Sequence, residues 1–422
     1  MVIKFTMNYR SSTLTIFAIA FCVFILAKCI NKNSENENEQ VITETVKANN
    51  LQFAGSATCA GCHKNIYDTH IKTSHYKTSR PATEHYIKGS FEKGKNTYYY
   101  NNSLFVAMEE RDSNIYQVVY FKGEEKKVLP FDMIIGSGTK GQTFAYWQNN
   151  KLFQLPISYY EFAHQWANSP GFPNKVQFDR PITSRCLECH TTFAKIISAP
   201  EVEKEEFDHN KIIFGVDCEK CHGGGAKHVE FQTQNPNEKQ AKYIVNPAML
   251  TRQQKLDMCA LCHGGNIKKL QPPFSFTPGN DLSKYFVTDS LNTSSVNFGT
   301  VDVHGNQYGL LQASKCFRMS KMTCNSCHNT HENERGKTEV FTRRCITCHN
   351  NVHENFTTIN KTPVSTIKAD CINCHMPVKK SQSIVVSIPG SDVPTAALFR
   401  SHFISIYFDE SKNFMNTKKK SK

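Results

Sequence analysis

Residues 324–375 read CNSCH at 324–328, CITCH at 345–349 and CINCH at 371–375, so one five-residue frame occurs three times within 52 residues. In each frame, two cysteines separated by two residues are followed at once by a histidine. This pattern attaches a c-type haem: two thioethers hold the porphyrin, and the adjacent imidazole binds the iron as its proximal ligand. Three such sites so close in sequence imply porphyrins that touch or nearly touch in space.

The same frame occurs four more times upstream, so the chain is predicted to carry seven covalently attached haems c. Chance would supply on the order of 0.03 such frames in a chain of this composition. Disulfides and zinc ribbons explain the pattern poorly, because neither requires a histidine after every second cysteine. The predicted attachment residues are Cys59, Cys62, Cys186, Cys189, Cys218, Cys221, Cys259, Cys262, Cys324, Cys327, Cys345, Cys348, Cys371 and Cys374. The predicted proximal iron ligands are His63, His190, His222, His263, His328, His349 and His375.

The formal charge of +13 would by itself suggest a partner such as nucleic acid or a membrane surface. Haem propionates change this balance, because each oxidised haem contributes a net charge of about −1, which brings the holoprotein to roughly +6. We therefore interpret the excess of lysine and arginine as positive charge that balances the haem propionates. No nucleic-acid partner is predicted.

The N-terminus predicts export. Lys4 and Arg10 precede an apolar run over residues 14–27, which is short for a bilayer span and suited to a signal peptide. Leu26-Ala27-Lys28-Cys29 resembles a bacterial lipobox, although Lys28 departs from that pattern. Cys29 could thus carry lipid as a membrane tether; an uncleaved anchor is the alternative. With either a lipid on Cys29 or an uncleaved anchor, the haem motifs are expected in the periplasm or on the extracytoplasmic side of a membrane.

The interval between the first and second motifs predicts a β-rich module without a haem of its own. Alternating stretches at residues 97–100, 103–108 and 114–121 are typical of strands, and Asn149-Asn150 suits a two-residue hairpin turn between two more. Gly136, Gly138 and Gly141 match G-x-G-x-x-G. A strand-like aromatic sequence follows them, however, so a turn between strands is favoured over a dinucleotide site.

Ten histidines remain after the seven proximal ones, enough to give every iron a second imidazole. His331 follows His328 by three residues and His353 follows His349 by four, so on a helix each would lie on the same side as its proximal histidine. Axial ligands approach an iron from opposite faces. His331 and His353, and also His228 beyond the glycines at 223–225, are therefore predicted to bind the irons of neighbouring haems.

Residues 213–228, IFGVDCEKCHGGGAKH, resemble the corresponding stretch of bacterial multihaem cytochromes of the cytochrome c-554 type, and residues 324–331 do so as well. Residues 371–377, followed later by Ser401-His402, are similar to the closing motif of that group, whose wider set includes hydroxylamine oxidoreductase and pentahaem nitrite reductase. The resemblance implies a haem stack with mostly bis-His irons, and His75 and His402 as further distal ligands. The Cys-x-x-Cys-Lys motif of nitrite reductase and the eighth motif of hydroxylamine oxidoreductase are both lacking, so no enzymatic assignment is carried over.

These features together predict a mainly α fold with much irregular loop and a haem-packed core, interrupted by the β-rich module. The predicted segments are a signal peptide at 1–29, a flexible polar tether at 30–52, a first haem segment at 53–87, the β-rich module at 88–180, a six-haem domain at 181–410 and a basic tail at 411–422.

Two classes of function remain open at this stage. The first is an electron carrier that passes electrons between redox partner proteins of the cell envelope, with no catalytic residue. The second is an oxidoreductase in which one open haem acts on a small nitrogen or sulfur compound. The first haem is the candidate for this role, because it is remote in sequence and His70, His75 and His85 compete to ligate it.

Overall fold

A computed structural model describes residues 52–172, 175–199, 204–287, 301–350, 369–389, 391 and 393–413. The predicted signal peptide, almost all of the predicted tether, His353 and the end of the basic tail lie outside these residues.

The α-helices of the described residues are short, and only two of them exceed nine residues. They are α1 Ser56–His70, α2 Ser184–His190, α3 Cys218–His222, α4 Ala226–Gln234, α5 Arg252–His263, α6 Gln307–Ala313, α7 Lys315–Arg318, α8 Thr338–Ile346 and α9 Cys371–His375. The fifth motif begins in a single 3-10 turn, Cys324–Ser326.

All the strand pairs between these elements are antiparallel. The strands are β1 Ser79–Pro81, β2 Thr97–Tyr99, β3 Leu104–Arg111, β4 Asn114–Phe121, β5 Glu124–Pro130, β6 Met133–Ile135, β7 Gly141–Gln148, β8 Lys151–Gln154, β9 Ile157–Tyr160, β10 Gln165–Asn168, β11 Thr191–Ile196, β12 Phe207–Phe214, β13 Lys268–Lys269, β14 Phe286–Val287, β15 Val378–Val386 and β16 Thr395–Arg400.

Two sheets lie between the first and second motifs. One is a four-stranded meander in the order β2-β3-β4-β5, and the other is six-stranded in the order β1-β6-β7-β9-β10, with β8 paired to β7. Tyr98 and Met108 from the meander share one buried cluster with Phe144 and Trp166 from the larger sheet. The two sheets therefore pack face to face around an aromatic core, as expected when alternating residues of each strand turn inward.

The opposite face of the larger sheet holds the second haem motif. Met133 and Leu152 from β6 and β8 pack with Leu187 of α2 and with Phe207 and Ile212 of β12. Leu187 lies between the two cysteines of its motif and is fully buried. The larger sheet thus packs against the second predicted haem attachment site.

Both turn predictions are confirmed. Asn149, at φ 54°, and Asn150 connect β7 to β8 across the pair Gln148–Lys151. The stretch from Gly136 to Gly141 joins β6 to β7, and a Cβ on Gly136 would lie 2.7 Å from the Gly141 carbonyl oxygen. These glycines therefore serve a tight strand-to-strand turn.

The expectation of a mainly α protein is wrong. Of the described residues, 29% are helical and 27% lie in strands, which form several antiparallel sheets. Strand pairs also follow the second, fourth and seventh motifs, as β11–β12, β13–β14 and β15–β16. The reason is local: most motif helices last one or two turns, and the sequences that follow several of them, such as Ile384-Val385-Val386, carry β-branched residues that favour strands. Within the described residues, no helix has both the length and the apolar character needed to cross a bilayer.

Candidate haem sites

Most of the motifs lie at the C-terminal ends of helices. The second, third, fourth and seventh motifs end α2, α3, α5 and α9 at His190, His222, His263 and His375. On a helix, the first cysteine, the second cysteine three residues later and the histidine four residues later lie on one side. The local fold therefore points the two thiols and the imidazole of one motif in a common direction.

Elements that carry different motifs pack against one another. None of the fifteen described cysteines is in a disulfide. The packed elements are α1 with α3, α2 with α5, α5 with the 3-10 turn of the fifth motif, and α8 with α9. The fold thus brings together motifs one and three, two and four, four and five, and six and seven.

One buried carboxylate connects the first motif to the third. Glu219, between the two cysteines of the third motif, accepts hydrogen bonds from the backbone N–H groups of Ala54 at 2.7 Å, Gly55 at 2.9 Å and Gly225 at 2.7 Å. The neighbouring Gly224 allows a close approach, since a Cβ there would lie 2.3 Å from the Gln52 carbonyl oxygen. The segment that begins α1 is thereby fixed on the third motif.

Arginines make the corresponding connections elsewhere, by donating to backbone carbonyl oxygens of another motif. Arg344, directly before the sixth motif, donates to the carbonyl of Cys327 at 2.8 Å and also pairs with Glu334. Arg185 donates to the carbonyl of Leu261 in the fourth motif at 2.8 Å. Arg400 of β16 donates to Ile372 and Met376 at the seventh motif, at 2.9 and 2.7 Å.

Several imidazoles use Nδ1 for a hydrogen bond and so leave Nε2 for a metal. Among the predicted proximal histidines, His222 donates from Nδ1 to Val245 O at 2.9 Å, and His263 donates from Nδ1 to Gln307 Oε1 at 3.1 Å. Two of the predicted distal histidines do the same: His228 donates to Lys242 O at 2.9 Å and His402 to Arg400 O at 3.3 Å. Such a bond fixes both the tautomer and the ring orientation of a metal-binding histidine.

In the described residues, three ring pairs that join a predicted proximal histidine to a predicted distal one have the separation that two axial ligands of one iron require. The ring centroids lie 6.1 Å apart for His75–His263, 6.1 Å for His222–His331 and 6.2 Å for His328–His402. A coordinated imidazole nitrogen lies about 2 Å from its metal and about 1.1 Å from its own ring centroid, so two axial rings lie about 6 Å apart. Each pair joins a proximal histidine to a predicted distal one, and the residues present therefore fit a haem iron.

Two of these imidazoles, His75 and His402, are in the neutral form, which is the form that binds metal. Burial, aided by the neighbouring charge of His263, lowers the pKa of His75 to about 4. Burial and the charge of His328 lower the pKa of His402 to about 4. Both rings are therefore neutral at pH 7 and can offer a lone pair.

Other histidines have different roles. His70 also lies 6.1 Å from His331, but its Nε2 is directed to Val216 O at 3.2 Å. His209 uses Nε2 toward Asn149 O at 2.8 Å and stacks on Trp147. His85 packs against Tyr86. His70 and His209 thus use Nε2 for a hydrogen bond, whereas His222, His228, His263 and His402 use Nδ1.

One premise about His331 is wrong, and one predicted ligand cannot be described. Residues 328–331 are not helical, because the 3-10 turn of the fifth motif ends at Ser326. His331 therefore lies beside His222 through its turn conformation rather than through helix geometry. His353 lies outside the described residues.

Comparison with known proteins agrees with this geometry. The family described as cytochrome c554 and c-prime matches residues 144–223, a stretch that includes the second and third motifs. The protein is a multihaem c-type cytochrome. A solved structure titled outer cell wall cytochrome OcwA shares the fold, with a TM-score of 0.50 and 17% identity over 86% of this chain and 81% of that chain. No curated protein matches the sequence.

Covalently bound haem c and electron transfer follow for the cytochrome from this assignment. Sequence reasoning missed the residues that hold the motifs in place. Glu219 is one of the two residues between the cysteines of its motif, where the Cys-x-x-Cys-His pattern specifies no residue type. Arg344 and Arg400 belong to no recognised sequence motif. Their roles depend on carbonyl and N–H groups from distant parts of the chain.

Proposed function

We propose that the cytochrome passes electrons between redox partner proteins of the cell envelope, through seven haems whose irons are mostly ligated by two histidines. Each haem supplies a ferric/ferrous couple, and the protein supplies attachment, orientation and spacing.

The contacts between motifs are the observation that carries this proposal. Electron transfer weakens steeply with distance, so a carrier needs its centres closely spaced. Packed elements join motifs one and three, two and four, four and five, and six and seven, and Arg344 bonds the sixth motif to Cys327 of the fifth. Such a sequence of contacts favours a path along most of the molecule, with the fourth motif adjoining two others.

The ring pairs support a specific set of distal ligands. We propose His75 for the iron of His263, His331 for that of His222, and His402 for that of His328. His228 is assigned to the iron of His63, because its Nδ1 is held by Lys242 O and its motif contacts the first motif. His353 remains the proposed ligand of a haem next to its own.

An extracytoplasmic location fits both the sequence and the fold. Haem c attachment takes place outside the cytoplasm, and the structurally similar protein is titled an outer cell wall cytochrome. The apolar run at 14–27 would direct export, and a lipid on Cys29 would tether the protein to a membrane.

Intact mass of the exported protein tests the haem number. We expect a mass increase of seven haems, and acyl chains on a mature N-terminus at Cys29. A Cys62→Ala variant is the matched control, because it removes one thioether and should weaken only the first attachment. A wild-type mass with fewer than seven haems would contradict the proposal.

A second candidate function is an oxidoreductase with one open haem, and the exposure of the first motif favours it. Cys62 and His63 are both exposed. Of the three histidines that could compete for this iron, His70 is directed to a carbonyl, His75 lies against His263, and His85 packs on Tyr86. Only His228 would then exclude a small nitrogen or sulfur compound from this iron.

Low-temperature EPR of the oxidised protein separates the two candidates. The electron carrier should show only low-spin ferric signals, whereas an open haem adds a high-spin signal of about one haem equivalent. We expect low-spin signals in the wild type and a new high-spin signal in His228→Gly. A wild-type high-spin signal that His228→Gly leaves unchanged would support the oxidoreductase instead.

A further inference from the structure

Residues 242–245, here called the 242–245 segment, follow α4 and accept hydrogen bonds from two imidazoles that serve different haems in the proposed ligand set. His228 donates from Nδ1 to the carbonyl oxygen of Lys242 at 2.9 Å. His222 donates from Nδ1 to the carbonyl oxygen of Val245, also at 2.9 Å. One short stretch of backbone therefore orients both rings, through acceptors only three residues apart.

The Val245 end of the segment is held by both of its backbone groups. Val245 N–H donates to the carbonyl oxygen of His222 at 3.0 Å, in addition to the bond that its own carbonyl oxygen accepts from the ring. A Cβ on Gly223 would lie 4.0 Å from Val245 Cγ2, and a Cβ on Gly225 would lie 3.9 Å from Ile244 Cδ1. The segment thus lies along the glycine run that separates the two histidines.

Tyr243, inside the segment, has a backbone conformation that bulky residues rarely adopt. Its φ is 58°, in the left-handed region where the Cβ of an L-residue meets steric repulsion. Its ring makes an edge contact with Phe231 of α4, with centroids 5.5 Å apart, yet the residue remains 65% exposed. Burial of the Tyr243 side chain therefore does little to offset the strain.

The two acceptors give a reason for this conformation. Successive residues of an extended segment alternate in direction, so groups three residues apart point to opposite sides. A left-handed residue breaks that alternation, and here the carbonyl groups of Lys242 and Val245 both meet imidazoles, on α4 and at the end of α3. Backbone strain of this kind persists where surrounding contacts fix it, and it is common at sites that clamp a ligand.

We propose that the 242–245 segment is a shared positioning element for two haem irons, and that the left-handed conformation of Tyr243 keeps both carbonyl oxygens on their imidazoles. A hydrogen bond to the second nitrogen of a metal-binding imidazole fixes the ring orientation and raises its basicity as a ligand. A change of conformation at one residue then alters two haems together. The proposal rests on the proposed ligand set, in which His222 serves the third haem and His228 the first.

The test compares Tyr243→Pro with Tyr243→Gly, two variants that both lack the phenol ring and its contact with Phe231. Proline fixes φ near −65° and excludes the observed conformation, whereas glycine adopts a positive φ without strain. Tyr243→Pro should raise the midpoint potentials of two haem equivalents and shift their low-spin EPR signals, because the two imidazoles lose their acceptors. Tyr243→Gly is the matched control and should equal the wild type in both measurements.

Both variants are measured as holoproteins, after the haem content has been verified from the absorbance of the denatured protein. Wild-type potentials and signals in Tyr243→Pro would overturn the proposal, and so would a change confined to one haem equivalent, since the segment would then not be shared. Equal changes in the two variants would assign the effect to the lost ring and overturn the role of the backbone conformation.

If Tyr243→Pro loses haem, Tyr243→Val provides the second measurement, because a β-branched residue also disfavours a positive φ. We expect the same two haem equivalents to shift in the same direction by a smaller amount. Potentials equal to those of the wild type in a fully loaded Tyr243→Val protein would overturn the proposal too.

These results are separable from the broader proposal. The effect of Tyr243 is a difference between variants and wild type, whereas the electron carrier is judged on the wild-type spectrum and on the haem number.

Discussion

Replacing Glu219 with alanine is expected to lower the free energy of unfolding by several kcal/mol and to loosen the first haem segment from the third motif. The carboxylate is 4% exposed and accepts from three backbone N–H groups. A buried donor that loses its acceptor costs about 1–3 kcal/mol. Urea unfolding of the holoprotein, followed by haem absorbance, measures this change.

The matched control is Glu230→Ala on α4. Glu230 is exposed, and alanine has a higher helix propensity, so this variant should unfold at the wild-type urea concentration. Glu219→Gln retains one carbonyl oxygen and should fall between wild type and alanine. Equal urea midpoints for Glu219→Ala and wild type would show that the backbone bonds do not fix the segment.

The second large effect is expected in the core of the β-sheets. Trp166 is 1% exposed, packs 5.6 Å from Phe144 and donates from Nε1 to Ser90 O at 2.9 Å. Trp166→Ala should reduce the free energy of unfolding by about 3–5 kcal/mol through the lost contacts and the cavity left behind. Thermal unfolding followed by circular dichroism measures the loss.

Trp166→Phe should cost less, because an aromatic ring remains and chiefly the bond to Ser90 is lost. Trp147 provides the comparison within the same sheet. It is half-buried, so Trp147→Ala should reduce the free energy of unfolding by less than Trp166→Ala does. The haem midpoint potentials should not change in correctly folded Trp166→Ala, because Trp166 packs in the core between the two sheets and not against the second motif. A shift in those potentials would mean that a change in this core reaches the second motif through the larger sheet.

The strands of the first sheets could be predicted closely because their signals are local. Alternation at residues 114–121 predicts β4 Asn114–Phe121, and Asn149-Asn150 suits the turn that joins β7 to β8. The mainly α expectation failed where the signal is weak. The predicted six-haem region contains β11–β12 and β15–β16, whose irregular registers interrupt the simple alternation that would reveal them.

The residues of the candidate haem sites also fall into two groups, those that local sequence predicts and those that it does not. A Cys-x-x-Cys-His frame is complete within five residues, so the attachment residues and proximal histidines can be predicted from local sequence alone. The proposed distal ligands come from remote segments: His75 lies against His263, and His402 lies against His328. Resemblance to known cytochromes suggested His75 and His402, but neither pattern nor resemblance indicated their partners.

The sequence by itself determined that the chain carries haem attachment frames, how many there are, and where the β-rich interval lies, because each of these is a property of neighbouring residues. Only the tertiary structure decided which frames lie together, which imidazoles face each other, and how Glu219 and Arg344 connect the frames. A ligand pair needs two rings about 6 Å apart with one nitrogen of each left unbonded. Distance and hydrogen bonding between remote segments arise only when the chain has folded.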